Sequence, residues 1–345
     1  MAELRAALIG FGLSGSIFHG PLIAAAPRTS LAIVVTGNPD RAARARAQHP
    51  GVSVESRVES VWERAGELDL VVIATRNDSH VELATRAIDA GLAVVVDKPL
   101  ATTSEGAREL VARAERGGVP LTVFHNRRWD SDQLTLRRLM AEGGMGDVRR
   151  YESRFERWRP QVRADAWREN TAPREGGGVL LDLGTHLIDQ ALVLFGPVSR
   201  VYGEVDVRRG GPADDDVFVA LEHDSGVRSH LWASSVAGAR GPRLRVLGSR
   251  AAFVVDELDG QEDALRAGLR PADSDVWGAE PESRWGHLVR GDESEPVRSE
   301  NGAWPRFYEQ VGRALRGEGP MPVDPRDAVN VLEVLERALR PKAAV

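Results

Sequence analysis

The chain has 345 residues, enough for two domains of roughly 150 residues each, and its 42% hydrophobic and 28% charged residues are the make-up of a folded globular protein rather than a disordered one. It contains no cysteine, which excludes disulfide scaffolds, thiolate zinc sites and cysteine nucleophiles. Fifty-one acidic residues against 45 basic ones give a net charge of −6, which argues against a general nucleic-acid binder, and no apolar run approaches the ~18–20 residues that a membrane span needs. The N-terminus passes from Glu3 straight into the strand-like run from Arg5 to Ile9, without the basic region and cleavage site of a secretion signal, so the expected location is cytoplasmic.

Ala6 to Ile9 is a short apolar strand that runs into Gly10-Phe11-Gly12-Leu13-Ser14-Gly15, a G-x-G-x-x-G turn. Helical spacing follows from Ser16 to Ala26 despite Pro21, and Leu31 to Val35 is a second strand. Strand, glycine turn, helix and strand within about thirty residues are the context that makes this motif a dinucleotide fingerprint. Gly10 makes the tight turn, Gly12 lets the backbone approach a pyrophosphate, and Gly15 permits close helix–strand packing. The helix N-terminus then offers free N–H groups to the phosphates.

The end of the second strand decides which dinucleotide. An NAD site places Asp or Glu there to hold the ribose hydroxyls. This chain has Val35-Thr36-Gly37-Asn38-Pro39-Asp40-Arg41, with no carboxylate at the strand end. Thr36 and Asn38 are small donors beside Gly37, Arg41 can meet a 2′-phosphate, and Asp40 reads as the cap of a helix from Arg41 to Gln48. NADP is therefore preferred over NAD.

Leu70 to Ala74 is a buried parallel strand, His80 to Ala90 a helix ended by Gly91, and Ala93 to Val96 a further strand. A helix from Thr103 to Arg116 with Gly117-Gly118 behind it leads to a last strand, Leu121 to Phe124. Ligands of open α/β sheets sit at the carboxyl ends of the strands, which is where Thr75 and Asn77, Asp97 and Lys98, and His125 and Asn126 fall. Only Lys98 and Lys342 among the 45 basic residues are lysine, and Lys342 lies close to the C-terminus. Arginine does not release its proton in a protein whereas lysine can. An isolated lysine at a strand end thus points to a task arginine cannot perform.

After Asn126 the pattern changes. A helix from Ser131 to Glu142 precedes runs of period-two alternation at Val148–Trp158, Val201–Arg208, Val217–Glu222, Val227–Ser234, Leu244–Leu247 and Ala252–Val255. Asp224-Ser225-Gly226 and Gly248-Ser249 read as hairpin turns, and the whole as an α+β domain on a mostly antiparallel open sheet. The division expected is a Rossmann doubly wound parallel sheet over 1–124 and a substrate-binding and oligomerisation domain over 125–345. A sheet covered on one face seeks a partner for the other, so a homodimer or homotetramer is expected. Residues 259–303 are polar, rich in Gly and Trp, and carry no element assignment.

The chemistry of the second half sits in Gly176-Gly177-Gly178 and the helix-like run to Asp189. Three glycines leave the entry loop without side chains to block a ligand. Asp182 and His186 are four apart, so on an α-helix they share one face, and a carboxylate there can orient an imidazole and raise its basicity. Asp182, His186 and Asp189 could also supply metal ligands, but Asp189 lies off the shared axis and no metal is expected. Arg127-Arg128-Trp129-Asp130, Phe155-Glu156-Arg157-Trp158-Arg159-Pro160 and Trp167-Arg168 interleave Arg with Trp. Such stretches can bind single-stranded nucleic acid. In a net acidic chain they fit better the wall of a polyol pocket, with Arg127, Trp129, Trp158 and Trp167 as its members, or Trp buried between sheet and helix.

Gly10-Phe11-Gly12 with Phe18-His19, Asp97-Lys98-Pro99, and Gly177 to Asp189 with its Asp182/His186 pair resemble the Gfo/Idh/MocA family of oxidoreductases over essentially the whole chain. The runs from Asn126 to Asp132 and from Gly184 to Gln190 are similar to the branch that contains NADP-dependent scyllo-inositol dehydrogenases. The resemblance implies that Lys98, Asp182 and His186 are the catalytic set, and that Thr75-Arg76-Asn77, His80, Asp97 and Asn126 approach the cofactor. It also implies that the second sheet forms the oligomer contact. Asp97 replaces the family's usual Glu, and Arg76 stands where Pro is common.

The function expected is hydride transfer between a nicotinamide and a secondary hydroxyl or ketone of a polyol or sugar, inositol-like rings leading. His186 would take the hydroxyl proton, Lys98 would donate to the same oxygen, and Asp182 would orient His186. The family's range leaves two alternatives: redox-neutral chemistry such as glycoside cleavage or epimerisation, and a non-catalytic cofactor-sensing regulator.

Overall fold

The computed structural model describes residues 3–340, so Lys342 lies outside the described residues. The first sheet contains β1 (Leu4–Ile9), β2 (Thr29–Val35), β3 (Ser53–Glu55), β4 (Leu70–Ile73), β5 (Ala93–Asp97) and β6 (Leu121–Phe124). They are parallel and ordered β3-β2-β1-β4-β5-β6. Side chains of successive strand residues point to opposite faces, and both faces are covered. Ala7, Ile9, Val71, Ile73, Val94 and Val96 pack with the helices His80–Asp89 and Ser104–Gly117. Ala6, Leu8, Leu70, Val72 and Val95 face Leu22 and Ile23 together with Trp304, Phe307, Tyr308 and Val311. The second group comes from the far end of the chain, where the helix Pro305–Leu315 returns to cover the first sheet.

The second sheet holds β7 (Val148–Glu156), β8 (Val198–Asp206), β9 (Asp216–His223), β10 (Arg228–Ser234), β11 (Leu244–Gly248), β12 (Ala252–Val255), β13 (Gly286–Arg290) and β14 (Glu293–Val297). Its order is β14-β13-β12-β11-β7-β10-β9-β8, with β7 and β10 the one parallel pair. The strands alternate buried and half-buried residues, as in Asp216–His223, so one face packs inward and the other does not. The helices Thr185–Phe195 and Pro325–Ala338 cover the inner face. The last helix also ties the two sheets together, since Glu336 accepts from the backbone N–H of Ser104 at 2.6 Å and from its hydroxyl at 2.7 Å.

Three local expectations change. The helix after β2 begins at Pro39 and is capped by Asn38, whose Oδ1 accepts from the Arg41 N–H at 2.9 Å; Asp40 sits in its first turn. The single helix expected from Ser16 to Ala26 is a π-helical stretch, Ser14–His19, followed by the α-helix Gly20–Ala25. Pro21 lies in the first turn of the latter, where a missing N–H costs nothing. Residues 259–303 contain the helix Gln261–Arg266 and the hairpin of β13 and β14.

Candidate active site

A cleft of about 1310 Å³ opens between the carboxyl ends of the first sheet and the second domain. That exceeds the ~300–1,000 Å³ of a single small-molecule pocket. Gly10 to Ser14, Thr36, Gly37, Arg41, Thr75, Arg76, Asp97, Lys98 and Asn126 line one side. Arg127, Phe155, Arg157, Trp167, Arg168, Asp182 and His186 line the other.

The three glycines of the turn differ in what surrounds them. Gly10 has φ +98°, and a Cβ there would come within 2.5 Å of the Ala74 carbonyl oxygen. A Cβ on Gly15 would collide with the Gly10 carbonyl, whereas one on Gly12 would meet only Arg41 Nη1 at 3.7 Å. The backbone at Gly12 is thus open to the cleft and fits a dinucleotide. Past β2, Thr36 and Gly37 line the cleft and no carboxylate occupies the strand end. Asn38, Asp40 and Arg41 border a smaller groove beside Gly12, together with Arg44.

Lys98 follows directly on β5. Asp97 Oδ1 accepts from its backbone N–H at 2.8 Å, and Nζ donates to Asp182 twice, to Oδ1 at 2.7 Å and to the carbonyl at 2.5 Å. Arg168 Nε stands 3.2 Å from the same Asp182 oxygen. Burial works to raise the Asp182 pKa, but the charges of Lys98 and Arg168 outweigh it and hold the carboxyl below the usual carboxylate range. Asp97 is held low in the same way: burial is outweighed by His19, 3.8 Å away, and by Lys98.

His186 shares the cleft with Lys98. Its ring is buried beside Phe155, centroids 6.2 Å apart, and Nδ1 has no hydrogen-bond partner among the described residues. Burial first, then the charges of Lys98 and Arg127, pull its pKa well below the ordinary histidine value. The expected Asp182–His186 contact is absent among the described residues. Leu180–Gly184 is π-helical, and that wider turn takes residues four apart off a common face. Asp182 therefore orients Lys98 instead.

Other expected contacts move as well. His80 is fully buried behind the cleft, with Nδ1 2.7 Å from the Pro99 carbonyl, and supports the turn after Lys98 rather than facing a cofactor. Asn77 is buried too and donates to the Gly176 carbonyl at 2.8 Å. The glycine run is tight packing rather than an open entry: a Cβ on Gly177 would strike Thr171, and one on Gly178 would strike Asp214. Trp129 is buried against Phe307, while Trp158 is 61% exposed, and neither lines the cleft. Trp167 does, with the guanidinium groups of Arg76 and Arg168 at 4.9 and 4.5 Å from its ring centre. Asp189 turns away to Arg128, whose Nη2 donates to it at 2.5 Å.

Two supports escaped the sequence reading. Arg168 holds Asp182, and the only sign of it was its place beside Trp167. His19 shares a 2.6 Å hydrogen bond with Tyr308 while facing Asp97, a contact made by the returning C-terminal helix.

Residues 4–125 match the model of an oxidoreductase family with an NAD-binding Rossmann fold, and residues 133–254 match that of the GFO/IDH/MocA C-terminal domain. The chain belongs to the Gfo/Idh/MocA oxidoreductase family. Within it, the chain is 40% identical to the uncharacterized oxidoreductase YdgJ of Escherichia coli (strain K12) over 337 residues, 97% of this chain and 95% of YdgJ. It is 34% identical to the scyllo-inositol 2-dehydrogenase (NADP(+)) IolW of Bacillus subtilis (strain 168) over 340 residues, 97% of this chain and 93% of IolW. The solved structure of yvaA from Bacillus subtilis superimposes with a TM-score of 0.90 at 33% identity, covering 98% of this chain and 95% of that one. No helix among the described residues is long and apolar enough to cross a membrane.

Proposed function

We propose that this Gfo/Idh/MocA protein is an NADP-preferring dehydrogenase or reductase that acts on a secondary hydroxyl of a polyol or sugar, with inositol-like rings the leading substrates. The observation that carries the reading is the Lys98 side chain, clamped by Asp182 in the same cleft as the buried ring of His186, whose Nδ1 has no partner among the described residues. The bound nicotinamide supplies hydride acceptance or donation. For the rest, His186 takes the hydroxyl proton, and Lys98 donates a hydrogen bond to the same oxygen as negative charge develops on it. Asp182 and Arg168 act through Lys98 by fixing where its ammonium points. Phe155 and Trp167 give the substrate apolar walls. IolW is named for NADP(+) and scyllo-inositol, which supports both halves of the proposal.

The NADP preference rests on Arg41. It borders the open backbone of Gly12 and makes no ion pair among the described residues. The missing carboxylate at the end of β2 points the same way. We also propose that two or four copies assemble through the outer face of the second sheet. A panel of inositols, pentoses and hexoses, assayed by reduced-nicotinamide absorbance with NADP and with NAD, tests the function. Turnover of a cyclic polyol, faster with NADP, is expected; absence of any turnover despite tight nucleotide binding would replace this reading with a sensor.

A further inference from the structure

The run Phe155-Glu156-Arg157-Trp158-Arg159 leaves β7 as extended chain. The backbone N–H groups of Arg157 and Arg159 donate to the carbonyls of Ser234 and Ser235 at 3.0 and 2.7 Å, and Trp158 forms an isolated bridge with Val236. Successive side chains of such a chain point to opposite sides. Phe155, whose ring lies 6.2 Å from that of His186, is therefore followed on its own side by Arg157 and then Arg159. Trp158 between them is 61% exposed and outside the cleft, whereas both arginines line it. Arg157 thus stands one strand step, roughly 7 Å, beyond the ring that packs on His186.

Several other cations of this wall are committed. Arg168 faces Asp182 at 3.2 Å and Arg163 faces Glu169 at 3.3 Å. Arg127 and Arg243 flank the Phe155 ring at 4.9 and 4.2 Å, and they pair with Asp130 and Glu262 and with Asp132. Arg157, Arg159 and Arg240 also line the cleft, yet none of the three makes an ion pair among the described residues. The side chain of Arg157 makes one hydrogen bond among them, from Nε to Ser235 Oγ at 3.4 Å. The carboxylates nearby do not serve it. Glu169 also takes Arg209 at 2.9 Å, Asp182 takes Lys98, Glu156 accepts from the Gly241 N–H at 2.8 Å, and Asp165 is exposed. Arg157 itself is half-buried, and burial with the Arg159 charge pulls its pKa below the ordinary guanidinium value. Taking a charge out of water without a partner is costly. A group that brings the missing negative charge would offset that cost.

We infer that Arg157, with Arg159 beside it, is the seat of an anionic group on the substrate, a carboxylate or a phosphate. The inference rests on the dehydrogenase reading and narrows its substrate to a polyol or sugar that carries such a group; an inositol-like ring fits when it is acidic or phosphorylated. The planar fork of a guanidinium donates two parallel hydrogen bonds to either anion. The reacting hydroxyl then lies at Lys98 and His186, the ring carbons pass along Phe155, and the anion ends at Arg157. The seat belongs to the second domain, on the wall opposite the glycine turn and Arg41, so it is separate from the groups offered to the nucleotide phosphates.

The test uses matched pairs on the full-length protein loaded with NADP: glucuronate against glucose, galacturonate against galactose, and inositol 1-phosphate against myo-inositol. Calorimetric titration gives Kd for each, and reduced-nicotinamide absorbance gives kcat/KM. In at least one pair the anionic member should bind about tenfold or more tightly than the neutral one, an advantage that shrinks with added salt. An advantage confined to the uronates assigns a carboxylate to the seat, and one confined to the inositol phosphate assigns a phosphate. In Arg157→Met the anionic-to-neutral ratio should fall about tenfold, and Arg157→Lys should keep part of it. Absence of any anionic advantage, or a ratio that Arg157→Met leaves unchanged while NADP affinity drops, would overturn the inference. If Arg157→Met does not fold, Arg157→Gln takes its place, and the ratio in the natural protein decides the matter alone. Tight binding of an anionic member without turnover of any compound defeats the dehydrogenase reading and leaves the seat standing.

Discussion

Lys98 works as a point charge in a fixed place. Its ammonium is held by one carboxylate and one carbonyl of the same residue, and Arg168 braces that carboxylate from the side. A guanidinium at position 98 could still pair with Asp182, so folding should survive. Its planar fork cannot put a donor where the ammonium sits. Lys98→Arg should therefore keep a native circular-dichroism spectrum and lower kcat by about a hundredfold or more, the usual loss when a donor to a developing oxyanion is removed. A kcat near that of the natural protein would show that Lys98 does not touch the reacting oxygen. His186 makes a complementary prediction in pH. As the proposed base it would be active when unprotonated, that is, above its pKa, and burial with the Lys98 and Arg127 charges holds that pKa well below the ordinary value. For oxidation, kcat/KM should stay flat as pH falls through about 6.5, the pKa of a free histidine, and decline only further down. An acid limb at or above that value would contradict the description of the pocket.

At the scale of elements, the glycine turn between β1 and the π-helical stretch Ser14–His19 separates fold from ligand binding residue by residue. A methyl group on Gly15 would collide with the Gly10 carbonyl, backbone against backbone, and overpacking of this kind costs about 1–3 kcal/mol. A methyl group on Gly12 points into the cleft, where only Arg41 is near. Gly15→Ala should lower both thermal stability and nucleotide affinity, whereas Gly12→Ala should leave the melting temperature unchanged and weaken nucleotide binding alone. Calorimetry and titration on the two proteins check this, and equal melting temperatures for both would refute it. The same turn shows why much of the first domain could be read in advance. Buried parallel strands are near-continuous apolar runs, and the glycine spacing records close approaches that no other residue tolerates. Lys98 stood out because almost every other cation is arginine. What could not be read was set by geometry without a local sequence signal. The π-helical turn at Leu180–Gly184 moved Asp182 away from His186. Gly176 to Gly178 are small because Asn77, Thr171 and Asp214 press on them, not because a ligand passes. Asn77 follows a strand end and His80 opens the next helix, yet both point away from the cleft, and Tyr308 reaches His19 across nearly the whole chain.

For the whole molecule, the decisive surface is the outer face of the second sheet. Its inner face is closed by two helices, but on the outer face Phe218 and Trp232 pack at a tilt with centroids 5.0 Å apart, and Arg154 lies 3.9 Å over the Trp232 ring. Along β7, Arg150, Glu152 and Arg154 alternate in sign, with Arg245 paired to Glu152 at 2.9 Å. A face of mixed charge around an aromatic centre can meet a copy of itself across a two-fold axis, basic groups opposite acidic ones. Arg154 also lines the cleft, so a second copy seated here would border the active site. Placing a carboxylate at the aromatic centre tests the assembly without touching the inner core. Trp232→Glu should sediment as a monomer in analytical ultracentrifugation while the natural protein sediments as a dimer or tetramer, both with the same far-ultraviolet spectrum. Its KM for the polyol should rise because Arg154 loses the ring that holds it. A natural protein that sediments as a monomer, or a Trp232→Glu variant that stays assembled, would remove this face as the contact between copies.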